Sequence, residues 1–523
     1  MTYKVLIPTG WKGVALGDIT KYINKALIKV GKKPAISYII EAYPKDTEFV
    51  ILTGYFWKQI QDFLKIVYPD RKIQIVEVSL YEGEGSSLVY SLLQAKDLLQ
   101  TPFIYQACDT IVLDKIEVAD TNRLWWYKGI SSSNYAGFNV IGNVVEKIQE
   151  KWVINPDYIH IWLGHIHDYS TFWTIAQKLY DENPNDWSLW DMDVINAMIE
   201  WWSAFKVNSY KERFDTGNVD GLSKARNEIP DSFHILNKLE ESIYMYDDFV
   251  VKFFYDQKLS DKRVQRAEFL KWLVPEIQWH ENNFFRYKFI PGKLYSRVAN
   301  THNFKDFLER STKNLWTSTH EVDDNKFKEV CHDFYYTKSM QRINKFLENH
   351  GLKDESNSIN DLEIPTIHEL FSMIDWDRLC SSKQTNFHGD FILDNIIKTE
   401  NGFCLLDRRQ EFWWLLQSWD MYYDLAKLNH NLTINHDMIN ADHFTIEKSD
   451  DNIGVDIHRR ENLVECQNVL HEFIIQKGFD LKKVKILSAI IRLNMSPLHH
   501  HPFDKFLFYF GKYKLWQAIK SSN

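Results

Sequence analysis

The chain has 523 residues, 45% hydrophobic and 25% charged, so two large or three modest domains are expected and wholesale disorder is excluded. Lys and Arg number 62 against 71 Asp and Glu, a net charge of −9 that argues against a nucleic-acid binder with its concentrated basic face. No apolar run reaches the length that crosses a bilayer, so no membrane insertion is expected.

Met1 to Pro8 lacks the charged-then-apolar pattern of a signal peptide. Within it, Lys4–Pro8 reads as a strand, and the loop from Thr9 to Thr20 carries Gly10, Gly13 and Gly17. Helices are predicted over 34–41, 57–67 and 86–99, and strands over 48–53, 73–78 and 103–107. Such alternation predicts a mostly parallel sheet with helices on both faces and functional groups at the carboxyl ends of strands. The character changes near Ala225–Pro230. Beyond it, 232–239 and 242–255 read as antiparallel strands, and 264–273 and 326–347 as helices. The domain boundary is placed there, dividing 1–226 from 229–523. The five cysteines (Cys108, Cys331, Cys380, Cys404 and Cys466) are scattered without C-x-x-C spacing, as expected of reduced thiols in a cytoplasmic protein, and support no zinc site. Most of the 19 tryptophans are expected in the core, with the pairs Trp125-Trp126, Trp201-Trp202 and Trp413-Trp414 as candidates for stacking on sugar rings.

The sharpest motif is His388-Gly389-Asp390-Phe391-Ile392-Leu393-Asp394-Asn395, followed by the apolar strand that ends at Asp407. Phosphoryl transfer to a hydroxyl needs a carboxylate for the acceptor, oxygen ligands for Mg²⁺, and a cation on the nucleotide. Asp390 suits the first role, and Asn395 and Asp407 suit the second. Lys252, alone in the strand 249–254, suits the third, with Glu268 in the next helix as its ion partner. Arg408 and Arg409 read either as phosphate contacts or as surface salt bridges. These residues, together with Asp420-Met421-Tyr422-Tyr423-Asp424-Leu425-Ala426, resemble the aminoglycoside phosphotransferase and choline kinase superfamily. The resemblance implies an α+β protein-kinase-like domain with a small lobe over about 229–320 and a large lobe over about 321–523. It also implies Asp390 as catalytic base, Asn395 and Asp407 as Mg²⁺ ligands, and Lys252 as the ATP-phosphate lysine.

A second constellation lies near the N-terminus. It comprises Ile7-Pro8-Thr9 before the glycine-bearing loop, Asn24-Lys25-Ala26-Leu27, Tyr81-Glu82-Gly83-Glu84-Gly85-Ser86, Cys108-Asp109 and Phe214-Asp215-Thr216-Gly217-Asn218. Joining two polyanions requires lysines to offset phosphate charge and a bridging Mg²⁺. These segments resemble the sugar-1-phosphate nucleotidyltransferases, and in particular capsule and surface-glycan proteins that fuse such a module to the kinase. The resemblance implies a Rossmann-like, GT-A-like mixed sheet. Asp109 and Asp215 would be the metal pair, and Lys25 the catalytic cation. Gly10, Lys12, Gly13, Gly83, Gly85 and Ser86 would hold the nucleotide. Trp11 and Ala15 depart from the pattern: they stand where the family has a glycine and the triphosphate-binding arginine.

The expected activity is therefore a bifunctional one in surface-polysaccharide precursor synthesis. ATP phosphorylates a small hydroxylated substrate, and a second NTP then activates the phosphorylated product. Two alternatives stay open: a kinase with a degenerate first domain, and a non-catalytic scaffold of glycan assembly. The acceptor, the nucleotide base and the oligomeric state are not fixed by the sequence.

Overall fold

The computed structural model describes residues 3–116, 120–127, 135–149, 156–210, 212–230, 238–449 and 452–521. The chain forms two compact units, Met1–Ser260 with Gln278–Tyr287, and Asp261–Ile277 with Lys288–Asn523.

The first unit is built on a nine-stranded sheet. Its strands are β1 (Lys4–Pro8), β2 (Glu48–Thr53), β3 (Lys72–Glu77), β4 (Phe103–Gln106), β6 (Arg123–Tyr127), β7 (Gly137–Ile141), β8 (Val144–Gln149), β9 (Tyr158–Ile166) and β10 (Lys206–Ser209). A short strand β5 (Thr110–Val112) lies outside this sheet and pairs with β11 (Arg213–Asp215). The order is β3-β2-β1-β4-β9-β6-β10-β8-β7. Strands β3, β2, β1 and β4 are parallel, whereas β9 runs antiparallel to both β4 and β6. The sheet is thus mixed: the parallel arrangement expected from the strand–helix alternation holds for its first four strands and for the β6–β10 pair, but not across β9. Val5, Leu6 and Ile7 are all buried, as continuous apolar strands covered on both faces must be. Helices α1 (Ala35–Glu41), α2 (Trp57–Val67) and α3 (Leu88–Leu93) follow the expected order. Helix α2 buries Ile60, Phe63, Leu64 and Val67, the i, i+3, i+4, i+7 stripe of an amphipathic helix. Further helices are α4 (Tyr169–Glu182), α5 (Asp191–Glu200) and α6 (Val219–Glu228).

The expected strand over 232–239 falls almost wholly outside the described residues. The run over 242–255 is an antiparallel hairpin, β12 (Glu241–Met245) and β13 (Phe249–Phe254), in one four-stranded sheet with β14 (Ile277–Glu281) and β15 (Phe284–Lys288). The bulk of this sheet belongs to the first unit, so the observed division falls later in the chain than the 226–229 boundary. Its apolar face explains why. Phe63 of α2 lies 5.5 Å from the ring of Tyr244 and 6.1 Å from that of Phe284. Tyr244 donates its hydroxyl to the Leu27 carbonyl at 2.6 Å, and Asn282 donates to Asp62 at 2.9 Å. Aromatic β-patterning marks the strands without saying which core receives them.

The second unit is mostly helical. Helix α7 (Gln257–Phe269) begins earlier than expected and α8 (Thr301–Asn314) follows. The predicted helix over 326–347 is α9 (Asp324–His332) and α10 (Lys338–His350), joined by a turn of π-helix over Asp333–Thr337. Downstream come the hairpin β16 (Ile396–Thr399) and β17 (Gly402–Leu405), then α11 (Met421–Asn431), α12 (Leu481–Met495) and α13 (Phe503–Lys520). Helix α12 packs between α11 and α13.

If the β12–β15 sheet shares the core of α2, Phe63 and Phe284 are energetically coupled. A double-mutant cycle of Phe63→Leu and Phe284→Leu, followed by chemical unfolding, should give a coupling of about 0.5–1.5 kcal/mol. Strict additivity would contradict the shared core.

Candidate functional site

A cleft of about 1020 Å³ opens in the first unit beside Pro8, where β1 ends, and Ala107, just past β4. Its walls bring together Lys12, Gly13, Lys25, Gly83, Ser86, Asp109 and Asp215, which are scattered over two hundred residues of sequence. The antiparallel register sets Thr110 of β5 opposite Asp215 of β11, so Asp109 and Asp215 meet at one end of the ladder. The Thr216 amide donates to the Asp109 carbonyl at 2.8 Å and locks that end. Between the carboxylates sits Gly217, where a Cβ would lie 2.9 Å from Asp109 Oδ2 and 3.1 Å from Asp215 Oδ1.

Each carboxylate is held. Lys25 Nζ reaches Asp109 Oδ2 at 2.9 Å, both side chains being less than one-fifth exposed. Burial disfavours both charges, yet the Coulombic and hydrogen-bonding partnership outweighs it, raising the Lys25 pKa and lowering that of Asp109. Asp215 accepts from the Gly217 amide at 2.8 Å, from Asn218 at 2.9 Å and from the Tyr135 hydroxyl. Burial first, then Asp215, pushes Tyr135 up to about 12. Lys25 opens a single helical turn capped by Asn24, whose amide also donates to the Thr9 and Tyr55 carbonyls at 2.9 and 2.7 Å. Asn24 therefore fixes the lysine relative to the first loop.

Gly13 starts the turn after that loop at φ 72, a left-handed conformation that favours glycine. Gly83 and Gly85 are also left-handed, and the Ser86 hydroxyl closes their turn on the Gly83 carbonyl at 2.6 Å. Gly10 and Gly85 are not among the cleft-lining residues; Gly10 instead accepts from the Tyr55 amide at 2.8 Å and braces the loop. Lys12 is exposed at the cleft, 5.8 Å from the Tyr55 ring. Burial pushes the Cys108 thiol up to about 12, which leaves it no part as a nucleophile.

Three features escaped the sequence reading. Tyr135 and the buried Arg213, whose charge helps lower the Asp109 pKa, carry no motif. The tryptophans of the cleft are Trp11, Trp162, Trp187 and Trp190, not the doublets singled out for stacking. Trp125 is buried in the core and Trp202 is 96% exposed. Neighbouring tryptophans in a sequence tend to point apart, whereas the cleft draws single residues from a loop, a strand and the residues leading into a helix.

In the second unit, the His388–Asn395 loop forms a separate cluster. Lys427 of α11 pairs with Asp390 Oδ1 at 2.8 Å, and the Asn395 amide donates to Asp390 Oδ2 at 3.1 Å and to its carbonyl at 2.9 Å. Burial opposes the Asp390 charge, but Lys427 and then Arg409 hold it well below the usual carboxylate range. Asp424 accepts the His388 and Gly389 amides at 2.8 and 2.7 Å and the Trp316 indole at 3.1 Å. Burial nevertheless moves its pKa up to about 6. Gly389 has φ 84, and a Cβ there would meet Trp419 at 2.7 Å. Asp407 follows β17 at φ 52, and the Leu406 amide donates to the Asn395 carbonyl at 2.7 Å.

The other expected residues fall elsewhere. Lys252 is buried in β13. Glu268, expected as its ion partner, is 64% exposed and ion-paired with Lys271 at 2.8 Å, because i, i+3 spacing satisfies it at the helix surface. Arg266 of α7 instead meets the two residues that lead into the motif loop. It is fully buried, lies 3.8 Å over the Phe387 ring, and donates to Asn386 at 3.3 Å and to the Phe387 carbonyl. Arg408 is buried and donates to the Arg263 carbonyl at 2.5 Å.

Among the described residues, no helix is long and apolar enough to cross a membrane, and no group of three or more His, Cys, Asp or Glu is arranged to hold a metal. No family model and no curated protein matches the sequence. Solved structures do show similarity. A Bacillus anthracis protein assigned as a glucose-1-phosphate thymidylyltransferase is 18% identical, with a TM-score of 0.39 over 46% of this chain and 98% of its own. An apo UDP-glucose pyrophosphorylase is 17% identical, with a TM-score of 0.36 over 44% of this chain and 98% of its own. The CTP:phosphocholine cytidylyltransferase of Streptococcus pneumoniae is 17% identical, with a TM-score of 0.35 over 44% of this chain and 99% of its own.

Lys427 offers a direct check on the second cluster. In Lys427→Met, carboxyl NMR should show the Asp390 pKa rising by at least about one unit, the size expected from removing a close cation. An unchanged value would assign its depression to Arg409 instead.

Proposed function

We propose that the protein carries two transferase sites that act in succession. The second unit moves the γ-phosphoryl group of ATP onto a small hydroxylated acceptor. The first unit joins the resulting phosphomonoester to a nucleotidyl group, as expected of a protein that prepares activated precursors for surface glycans. The observation that carries this reading is the Lys25–Asp109–Asp215 arrangement around Gly217 in the first cleft.

That arrangement suits the charge problem of nucleotidyl transfer. An acceptor phosphate oxygen forms a bond to the α-phosphorus of the NTP, the α–β phosphoanhydride bond breaks, and pyrophosphate leaves with the electron pair. Two polyanions must approach, so cations and geometry supply most of the rate enhancement. Lys25, fixed by Asn24 and kept protonated by Asp109, places one positive charge at the reacting phosphates. Exposed Lys12 adds another at the rim, where Ala15 brings none. The left-handed Gly83 leaves its surroundings open for a nucleotide. Asp109 and Asp215 are two hard oxygen donors on one wall, which is what Mg²⁺ takes from a protein when phosphates complete its shell. Bound there, Mg²⁺ would supply Lewis-acid stabilisation of the charge developing on the phosphates.

In the second unit, Lys427 keeps Asp390 ionised, and Asn395 orients it through two hydrogen bonds. Asp390 would accept the proton of the acceptor hydroxyl. Asn395 and Asp407 flank the β16–β17 hairpin, and their oxygens would hold Mg²⁺ against the ATP phosphates.

Phosphorus NMR of the full chain with ATP, Mg²⁺ and a pool of sugars, polyols and amino alcohols, followed by single additions of CTP, UTP, GTP or dTTP, tests both steps. A phosphomonoester should form first, then a diphosphodiester with pyrophosphate. Asp390→Ala should lower the first step by about 100-fold or more, and Asp109→Ala the second by a similar factor. Gly217→Ala should impair only the second, since its methyl group would force the carboxylates apart. A monoester that no nucleotide advances would reduce the function to that of a kinase.

A further inference from the structure

We propose that the small alcohol phosphorylated by the second unit is itself an acid, its carboxylate or phosphate held by Lys338, Arg342 and Arg409 beside Asp390. This deepens the phosphoryl-transfer reading of that unit and rests on it. Lys338 and Arg342 stand four residues apart on α10 and so share one face of it. Arg409 enters from the segment after β17, where its amide donates to the His388 carbonyl at 2.9 Å. A Cβ on Gly389 would lie 2.8 Å from that of Arg409, so the glycine makes room for the arginine against the motif loop.

The three cations crowd one another and none is neutralised. Burial first, then Arg342 and Arg409, pushes the Lys338 ammonium down to about 7. Burial lowers Arg342 too; Tyr423 opposes this and Arg409 adds to it. Among the described residues none of the three forms an ion pair. The Lys338 ammonium sits 3.9 Å over the Phe334 ring, and Arg342 donates to the Asn494 carbonyl at 3.4 Å. Arg409 Nε is buried without a hydrogen-bond partner. Like charges four residues apart on a helix cost stability, and here no acid offsets the cost.

The cluster also adjoins the base. Against burial, Lys427 and then Arg409 keep Asp390 ionised. Asn395 bonds Asp390 Oδ2, whereas Lys427 takes Oδ1. Tyr423 stands one turn before Lys427 on α11 and neighbours Arg342. The path from the base to α10 therefore starts at the oxygen that Asn395 leaves free. Such a wall repels an amino alcohol and gives a neutral polyol nothing for its charge. An acid turns it into charge-assisted hydrogen bonds, and an arginine fork suits carboxylate and phosphate alike. The transfer itself is unchanged: the acceptor hydroxyl gives its proton to Asp390, its oxygen bonds the γ-phosphorus, and ADP leaves with the electron pair.

The test uses the full chain with Mg²⁺ and two matched sets of acceptors. One set is glycerol, ethanolamine, glycerate and glycerol 3-phosphate; the other is glucose, glucosamine, gluconate and glucose 6-phosphate. Calorimetric titration with a non-hydrolysable ATP analogue, and initial rates with ATP, should favour an acid over its neutral and amine counterparts by about tenfold or more, the scale of one charge-assisted hydrogen bond. The carboxylate and phosphate members show which group is read. Arg342→Gln should raise the KM of that acid about tenfold without moving the KM of ATP, and Arg342→Lys should restore most of the loss. Lys338→Glu combined with Arg342→Glu should turn the preference towards the amine, which loss of the fold would not do. Preference for a neutral or amine acceptor, no binding of any acid, or a rise in the KM of ATP instead would overturn the proposal. Acid binding that Arg342→Gln weakens, without phosphoryl transfer, would keep the anion site and remove the kinase reading.

Discussion

The ladder between β5 and β11 joins two strands of three residues each, and the whole first cleft hangs on it. Two carboxylates cannot share a wall at low cost, because each raises the charging energy of the other. The ladder fixes their approach through backbone pairing, and Gly217 provides the space between them. Lys25 then offsets the charge of Asp109, while Asp215 is satisfied by an amide, an asparagine and a tyrosine. Breaking such a largely buried pair by removing one partner leaves an uncompensated charge, so the lysine is a structural necessity of this wall.

The second unit solves the same problem with different parts. Asp390, Asp420 and Asp424 lie within one stretch of packing. Each has its own device: Lys427 for the first, Lys483 at 3.0 Å for the second, and backbone amides for the third. Asp420 also caps α11 and accepts from Tyr335 at 3.0 Å, so it anchors the helix that delivers Lys427. The Asp-x-x-x-Asp spacing is then a support for the motif loop: one carboxylate starts the helix, and the other, a turn later, holds the loop's amides.

Local chemistry made much of this legible in the sequence. The glycine at 217, the aspartates at 109 and 215, and the His388–Asn395 loop were visible because each needs a specific residue type at a specific turn. The parallel strands β1 to β4 were visible because strands covered on both faces read as unbroken apolar runs. Long-range pairing was not legible. Nothing local tells that β9 crosses antiparallel into the sheet, that Tyr135 reaches Asp215, or that Arg266 rather than Glu268 turns inward from α7, onto the residues leading into the motif loop. The tryptophans of the cleft were hidden for the same reason, since they are single residues drawn from positions 11, 162, 187 and 190. The docking of the β12–β15 sheet on α2 brings Phe63 against Tyr244 and Phe284, the latter more than two hundred residues away.

That docking has a consequence for biogenesis. The first unit is discontinuous: residues 278–287 complete it after the chain has already entered the second unit at Asp261. A nascent chain emerging from the ribosome cannot finish its N-terminal core when α6 appears. It must wait with the apolar faces of Phe63 and Tyr244 uncovered until Phe284 emerges, and such a waiting state is the usual target of chaperones. Cutting the gene after residue 228 would strip strands from the first unit and leave them, unpartnered, on the second.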